Sequence, residues 1–354
     1  MASRPLPVRD INSILSQTAP MWEHVRGQRL FLTGCTGFFG CWLVESLLHA
    51  NRSLSLGATV TILTRSPERF MEKAPHLAAD PAEHLLQGDI RSFAFPQGDF
   101  QLVIHAATDT SLQASEQPHI LLSSILDGTR RVLDFAATHG TRRVLFVSSG
   151  AVYGEQPAKM MHIPETYLGS PDWLNPLAAY AEGKRAAELM AVLHAQQAGL
   201  ECVIARCFSF VGPHLPLDHH FAIGNFIRDA MRGLPLRIKG NGTPLRSYLY
   251  ASDLAVWLWT LLFRGSSGEA YNVGSDLGVS IADLARNVIE TLNVDLEIQI
   301  LGETTPGVAR SQYVPSIEKA RERLGLSVTV DLRDAIRYTA QWHRDSNPMS
   351  AGPF

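Results

Sequence analysis

Cysteine is scarce in this chain, with four in 354 residues. Cys35, Cys41, Cys202 and Cys207 show no C-x-x-C spacing, so neither a disulfide framework nor a zinc knuckle is expected. They read as small apolar residues of a reduced, cytoplasmic protein. Excess charge is missing as well: the formal net charge is −3, which recommends neither a nucleic-acid partner nor an anionic membrane surface. Long apolar runs are absent. The most apolar late stretch, Leu254 to Phe263, is too short to cross a bilayer and follows Asp253. Met1 to Asp10 carries Arg and Pro where the apolar part of a secretory leader would stand, so no leader is expected. His214, His219 and His220 sit in a Pro-rich loop without a helical i, i+4 pair or a nearby cysteine, so no metal is expected. The balanced composition that remains is that of a soluble α/β enzyme large enough for one main domain and a smaller appendage.

The stretch that organises the chain is Gln28 to Leu48, QRLFLTGCTGFFGCWLVESLL. A short apolar run, Leu30 to Leu32, passes directly into a glycine-rich turn, after which the apolar spacing changes to Leu43, Leu47 and Leu48. Strand, tight turn and helix in that order make a dinucleotide loop. Gly34 permits the sharp turn, Gly37 lets backbone N–H groups approach a pyrophosphate, and Gly40 lets the helix pack closely. Gly34, Thr36, Gly37, Phe38, Phe39 and Gly40 are therefore candidate cofactor-binding residues. The spacing is G-x-x-G-x-x-G, not the G-x-G-x-x-G of ordinary dehydrogenases, and points to the short-chain dehydrogenase/reductase variety.

A β-branched run, Ala58 to Thr64, comes next. Its end sets the cofactor expectation, because a carboxylate there suits the ribose 2′-hydroxyl of NAD and a cation suits the 2′-phosphate of NADP. The chain has Thr64-Arg65-Ser66 and no carboxylate before Glu68. Arg65 therefore favours NADP, with NAD as the alternative. Asp89 and Ile90, after the next strand, could flank an adenine ring with a carboxylate and an apolar wall. His105-Ala106-Ala107 offers small residues where backbone passes near the cofactor, and His105 itself is given no acid–base work. A long helical pattern from Ile120 to His139 leads to the strand Arg143 to Ser149. The repetition predicts a doubly wound parallel sheet of Rossmann type, with Gly34, Arg65, Asp89, Ala106 and Ser149 all at strand ends.

Tyr180-Ala181-Glu182-Gly183-Lys184 opens the next helical run and puts phenol and ammonium on one face, a turn apart. An ammonium beside a phenol stabilises the phenolate, so Tyr180 could exchange a proton with a sugar hydroxyl or ketone near neutral pH.

With these pieces in order, the chain resembles the extended short-chain dehydrogenase/reductases, the NAD-dependent epimerase/dehydratase family that modifies nucleotide sugars. The resemblance runs through TGCTGFFG at Thr33, GDI at Gly88, HAA at His105, SSGAVYG at Ser148, YAEGK at Tyr180, RCFSFVGP at Arg206, IKGNGTPLRSYLYASDLA at Ile238 and YNVGS at Tyr271. It implies that Ser149 hydrogen-bonds the reacting sugar oxygen, that Tyr180 is the acid/base, and that Lys184 activates it and holds the nicotinamide ribose. Ser148 is structural on the same grounds. It also implies that Asn225 and Arg246 bind the substrate, Arg246 through its diphosphate, and that the Ile120–His139 and Tyr180–Gln197 helices pair in a homodimer, burial within one subunit being the alternative explanation of their apolar faces.

Departures from the family pattern narrow the chemistry. Its sugar 4,6-dehydratases place an acidic pair, and its UDP-glucuronate decarboxylases a Glu, just after the catalytic hydroxyl, where this chain has Gly150 and Ala151. Hydride and proton exchange at one carbon, C4 of an NDP-hexose, survives that loss. The preferred expectation is an NADPH-dependent 4-ketoreductase, with a 4-epimerase holding NAD tightly as the alternative. A non-catalytic cofactor sensor is disfavoured by the intact Ser, Tyr and Lys set. The expected organisation is an arm at 1–27, a dinucleotide-binding domain at 28–207 to which 251–277 returns, a substrate domain at 208–250 and 278–343, and a tail at 344–354.

Overall fold

The computed structural model describes residues 4–108, 116–219, 221–303 and 310–346. His220 and residues 347–354 of the expected tail lie outside them. The chain divides into two compact units. One comprises the stretch to Gly154, Ser170–Cys207 and Ala255–Tyr271, and the other Glu155–Gly169, Phe208–Leu254 and the residues from Asn272 onward.

A seven-stranded sheet is the backbone of the first unit. Its strands are β1 (Arg29–Thr33), β2 (Thr59–Thr64), β3 (Glu83–Gln87), β4 (Leu102–His105), β5 (Arg143–Ser149), β6 (Glu201–Cys207) and β7 (Ala270–Val273). They lie in the order β7-β6-β5-β4-β1-β2-β3. β1 pairs in parallel with both β2 and β4, as do β2 with β3, β4 with β5 and β5 with β6. Ile204 N donates to Glu269 O and Phe208 N to Val273 O, so residue numbers rise together and β7 is parallel too. The strand order reverses between β1 and β4, which opens a crevice at the carboxyl ends of these two strands. The Rossmann-type α/β fold expected from the sequence is the fold observed.

A parallel sheet needs apolar cover, and on one face two adjoining clusters supply it. Phe31, Phe93, Phe100, Val132 and Phe135 belong to the first, with the Phe31 and Phe135 ring centroids 4.5 Å apart. The second joins Ile125 and Leu133 of helix α4 (Pro118–Thr138) to Phe146, Ala187, Ala191 and Ile204, beneath helix α5 (Ala179–Ala198).

The N-terminal arm packs on its own chain. Val8–Thr18 is helical and Ala19–Val25 a 3-10 turn; Trp22 is fully buried, its ring centroid 4.9 Å from that of Trp259. Leu6 N donates to Glu45 Oε1 at 2.8 Å.

The second unit is built from smaller pieces. Leu236–Ile238 pairs in parallel with Ile298–Ile300, and Leu245–Arg246 lies between Val279–Ser280 and Gln312–Tyr313. Buried Asp253 secures the segment before the C-terminal helix Leu332–Ser346 by accepting Thr329 N at 2.9 Å and Val330 N at 3.2 Å. Asn272 Nδ2 donates to Ile163 O at 2.8 Å and Ser316 O at 3.0 Å.

Candidate active site

The glycine-rich turn connects β1 to helix α2 (Phe38–Leu54). Gly34 has φ +75°, and a Cβ there would stand 2.5 Å from the backbone of Ala106 and Ala107, so only glycine fits. Gly40 is pressed against the turn itself: its Cβ would lie 2.0 Å from Cys35 Cα. Gly37 differs. A Cβ there meets nothing nearer than Gly34 O at 4.0 Å, and no side chain caps the N terminus of α2 that it begins. A small open concavity facing uncapped backbone N–H groups fits a pyrophosphate. Thr36 O accepts Lys73 Nζ at 2.8 Å, and the Phe38 and Phe39 rings meet edge to face at 5.8 Å.

Against this turn lies the backbone of Ala106 and Ala107, two more of the residues expected from the sequence to meet the cofactor. Ala106 N bonds Thr33 O at 3.1 Å, and Ala107 N bonds Thr33 Oγ1 at 3.3 Å. Thr33 Oγ1 also meets His105 Nδ1 at 2.8 Å, while His105 Nε2 meets Thr129 Oγ1 at 3.1 Å. Burial drives the His105 pKa down to about 3, with the Lys184 charge acting in the same direction, so the ring is a neutral strut. Arg65 is exposed just beyond β2. Its positive charge contributes to lowering the Asp89 pKa, though the larger cause is the Arg91 hydrogen bond. Arg91 grips Asp89 through Nε at 2.8 Å and Nη2 at 3.1 Å. The Asp89 carboxylate is thus already engaged in this structure. Ile90, beside it, packs on α4 at Gly128, where a Cβ would stand 3.0 Å from its side chain.

Ser149 ends β5, 7% exposed, and its Oγ accepts Ala151 N at 3.2 Å, capping the 3-10 turn Gly150–Tyr153. The Ser149 hydroxyl acts on the Tyr180 phenol in favour of the phenolate, yet burial prevails and raises the Tyr180 pKa above its ordinary value. Lys184, a turn later on α5, is buried. Its Nζ donates to Val147 O at 2.8 Å and lies 5.0 Å from the centre of the Phe146 ring. Desolvation lowers its pKa to about 8, against weaker support from Cys207 and Glu188. The lowered phenol pKa expected from the sequence is therefore not the balance found in the structure, where Lys184 faces a backbone carbonyl and Ser149 is the favourable partner of Tyr180.

Asn225 and Arg246 belong to the second unit. Asn225, on helix Ala222–Met231, accepts Arg228 Nη1 at 3.1 Å. Arg246 Nη1 donates to Leu245 O at 2.7 Å and Nη2 to Ser311 Oγ at 3.5 Å. Among the described residues no group of three His, Cys, Asp or Glu side chains could hold a metal, and no helix is long and apolar enough to cross a membrane.

The sequence pattern assigned no role to Glu188 or Arg206. Ser148 Oγ donates to Glu188 Oε1 at 2.5 Å, and Arg206 Nη2 donates to Glu188 Oε2 at 2.7 Å. Glu188 was legible as the third member of a Tyr180, Lys184, Glu188 series four residues apart. Arg206 needs the strand register, which pairs it with Ser148.

Comparison with known proteins agrees with this geometry. Residues 30–274 match the NAD dependent epimerase/dehydratase family. The chain is 31% identical over 310 residues to UDP-glucuronic acid decarboxylase 3 of Arabidopsis thaliana, covering 87% of this chain and 86% of that protein. It is 25% identical over 332 residues to dTDP-glucose 4,6-dehydratase of Streptomyces niveus, covering 90% and 93%. In fold it is similar to a point mutant of UDP-glucuronic acid 4-epimerase from Bacillus cereus, solved in complex with UDP-4-deoxy-4-fluoro-glucuronic acid and NAD. That similarity has TM-score 0.77 at 22% identity, over 90% of this chain and 99% of that one. A glycine turn under an uncapped helix, Ser149 at the end of β5 with Tyr180 and Lys184 on α5, and this match over most of the sequence together establish that the chain belongs to the NAD-dependent epimerase/dehydratase family of extended short-chain dehydrogenase/reductases.

Proposed function

We propose that this protein is a nucleotide-sugar oxidoreductase acting at one secondary carbinol or ketone, C4 of an NDP-hexose, as an NADPH-dependent 4-ketoreductase. The nicotinamide, when bound, supplies or takes up the hydride. The chain does the rest. Ser149 orients the sugar oxygen, and Tyr180, whose phenolate Ser149 favours, delivers the proton to that oxygen or removes it. Lys184 keeps a cation near the phenol and offers a donor to the nicotinamide ribose. Gly34, Thr36, Gly37, Phe38, Phe39 and Gly40 line the pyrophosphate turn, Ile90, Ala106 and Ala107 wall the adenosine side, and Asp89 is available to adenine once Arg91 yields. Arg65 receives the 2′-phosphate. Asn225 and Arg246 are assigned to the nucleotide diphosphate and sugar, for which a guanidinium fork suits Arg246.

The reaction type is carried by one observation, the pair Gly150-Ala151 directly after Ser149. Decarboxylation or 4,6-elimination needs a second proton-transfer group, and neither of these two residues is able to move a proton. The carboxylate nearest in this network, Glu188, is buried and committed to Ser148 and Arg206. A second reading, a 4-epimerase that retains NAD, is favoured by the fold similarity to a 4-epimerase solved with NAD. The residues 28–207 with 251–277 are assigned to cofactor binding, and 208–250 with 278–343 to substrate. Leu189 and Leu193 on α5 are 61% and 54% exposed and Ile120 on α4 is 45% exposed; this apolar face supports a homodimer through α4 and α5. Four buried free thiols support a cytoplasmic setting.

The test is a panel of UDP-, dTDP-, GDP- and CDP-hexoses and their 4-keto forms, monitored by cofactor absorbance and product stereochemistry. Stoichiometric NADPH consumption with a 4-keto sugar supports reduction, whereas C4 inversion by protein that keeps NAD through desalting supports epimerisation. Tyr180→Phe should lower turnover by about 10²- to 10⁴-fold with cofactor affinity nearly intact. Unchanged turnover removes Tyr180 from its role, and a dehydrated or decarboxylated product overturns the assignment.

A further inference from the structure

Glu188 is buried in α5, one turn beyond Lys184, at 6% exposure. Arg206 grips it from β6: Nε lies 3.1 Å from Oε1 and 3.2 Å from Oε2, and Nη2 lies 2.7 Å from Oε2. Replacing a buried ion pair by apolar residues of similar size is often neutral or stabilising, because desolvating both charges offsets their attraction. Stability alone is therefore a weak reason for this pair to be here.

Its contacts supply a better one. Ser148, immediately before Ser149, donates to Glu188 Oε1 at 2.5 Å. On the other side, Ser149 caps the turn Gly150–Tyr153. The Arg206 guanidinium lies over the ring of Tyr153, last in that turn and 1% exposed, 4.7 Å from its centroid. Glu188 holds the near flank of Ser149 directly and the far flank through Arg206. The strand register places Ser148 opposite Arg206 and Ser149 opposite Cys207, so a single carboxylate fixes where the catalytic hydroxyl emerges from the sheet edge.

We infer that Glu188, carrying Arg206, is a positioning residue that sets the Ser149 hydroxyl against the Tyr180 phenol. The inference rests on the roles of Ser149 and Tyr180 proposed above. Glu188 acts through its neighbours and does not itself meet the reacting atoms. Its negative charge has a second effect, since Lys184 is faced by Glu188 on its own helix, Cys207 on β6 and His105 on β4, and Glu188 favours the ammonium.

Glu188→Gln keeps the shape and removes the charge. A crystal structure of this variant is expected to show Ser149 Oγ displaced from its wild-type position relative to the Tyr180 phenol. With the best sugar nucleotide of the panel, kcat should fall about 10- to 100-fold, while KM and NADPH affinity stay within about twofold of wild type. The alkaline limb of the pH–rate profile should also move to lower pH. If Glu188→Gln does not fold, Ser148→Ala and Ser148→Thr separate the same causes: the alanine variant should reproduce the loss in kcat and the threonine variant restore it. An unmoved Ser149 hydroxyl with wild-type kcat and only a lower Tm overturns the inference. If instead Tyr180→Phe is fully active, the acid/base assignment fails, and the Glu188→Gln structure still decides whether Glu188 sets the position of Ser149.

Discussion

Lys184 Nζ donates to the carbonyl oxygen of Val147 at 2.8 Å, tying helix α5 to the strand that ends in Ser149. An ammonium held there loses its water, and the single carbonyl bond and nearby Phe146 ring do not replace it in full. The site accordingly keeps a lysine that the fold alone would not choose.

Replacing Lys184 should make the protein inactive but no less stable. Its folded-state pKa of about 8 lies below the ordinary 10.5, so the unfolded chain binds the proton more tightly. The resulting penalty is full below about pH 8 and fades as pH rises toward 10.5; it is about 3 kcal/mol from the linkage relation. Lys184→Met loses the Val147 bond, which returns about 1 to 3 kcal/mol of that gain. At pH 7 urea unfolding should find the variant equal to wild type or up to about 2 kcal/mol more stable, with the advantage gone above about pH 10. A variant several kcal/mol weaker at pH 7 would contradict the penalty.

Two glycines of one turn should fail in different ways. Gly40→Ala puts a Cβ 2.0 Å from Cys35 Cα, so the turn or α2 must move, costing about 3 kcal/mol or more. Gly37→Ala meets nothing within contact distance at φ −98°, so its Tm should match wild type. Its added methyl fills the concavity assigned to the pyrophosphate, and NADPH affinity measured by fluorescence should drop at least about tenfold. Undiminished affinity in Gly37→Ala would move the pyrophosphate elsewhere.

The turn was legible in the sequence because its physics is local: three glycines at fixed spacing between an apolar run and a helical pattern admit few conformations. Tyr180 and Lys184 were legible for the same reason, four residues apart on one helix. The features that escaped depend on register across the sheet. Arg206 reaches Glu188 because β5 and β6 pair with Ser148 opposite Arg206, a fact outside any local window. Asp89 was read correctly as a strand-end residue, yet its engagement by Arg91 depends on rotamers that a pattern of residue types does not fix. The sign of the Tyr180 shift was misread because spacing reports the neighbouring ammonium and says nothing of the desolvation that outweighs it.

Arg65 should decide between the two nicotinamide cofactors. A guanidinium–phosphate contact of about 1.5 to 3 kcal/mol corresponds to about 10- to 100-fold in affinity. Arg65→Ala should therefore weaken NADPH binding by that factor and leave NADH binding within about twofold, as measured by calorimetry. Its exposure makes the folded state indifferent to the change, so Tm should hold. Equal losses for both cofactors would give Arg65 a general electrostatic effect and withdraw the NADPH assignment.

His105 should make the cofactor turn sensitive to acid. Buried between Thr33 and Thr129, it has a pKa of about 3 against an ordinary 6.5, so the unfolded chain takes up a proton that the folded chain refuses. Stability from this group is fully present above about pH 6.5 and lost as pH falls toward 3, at about 1.4 kcal/mol per pH unit. Between pH 7 and pH 5 the wild type should lose about 2 kcal/mol more than His105→Gln, whose amide can still bridge the hydroxyls without titrating. Comparing the two proteins cancels the other acids, including Glu83, whose pKa burial raises to about 7 and whose contribution has the opposite sign. Because Thr33 also receives Ala107 N, loosening this strut should relax the backbone wall against Gly34, and NADPH affinity should fall with stability in wild type. Parallel pH curves for the two proteins would show that the imidazole titrates in the fold as it does in water.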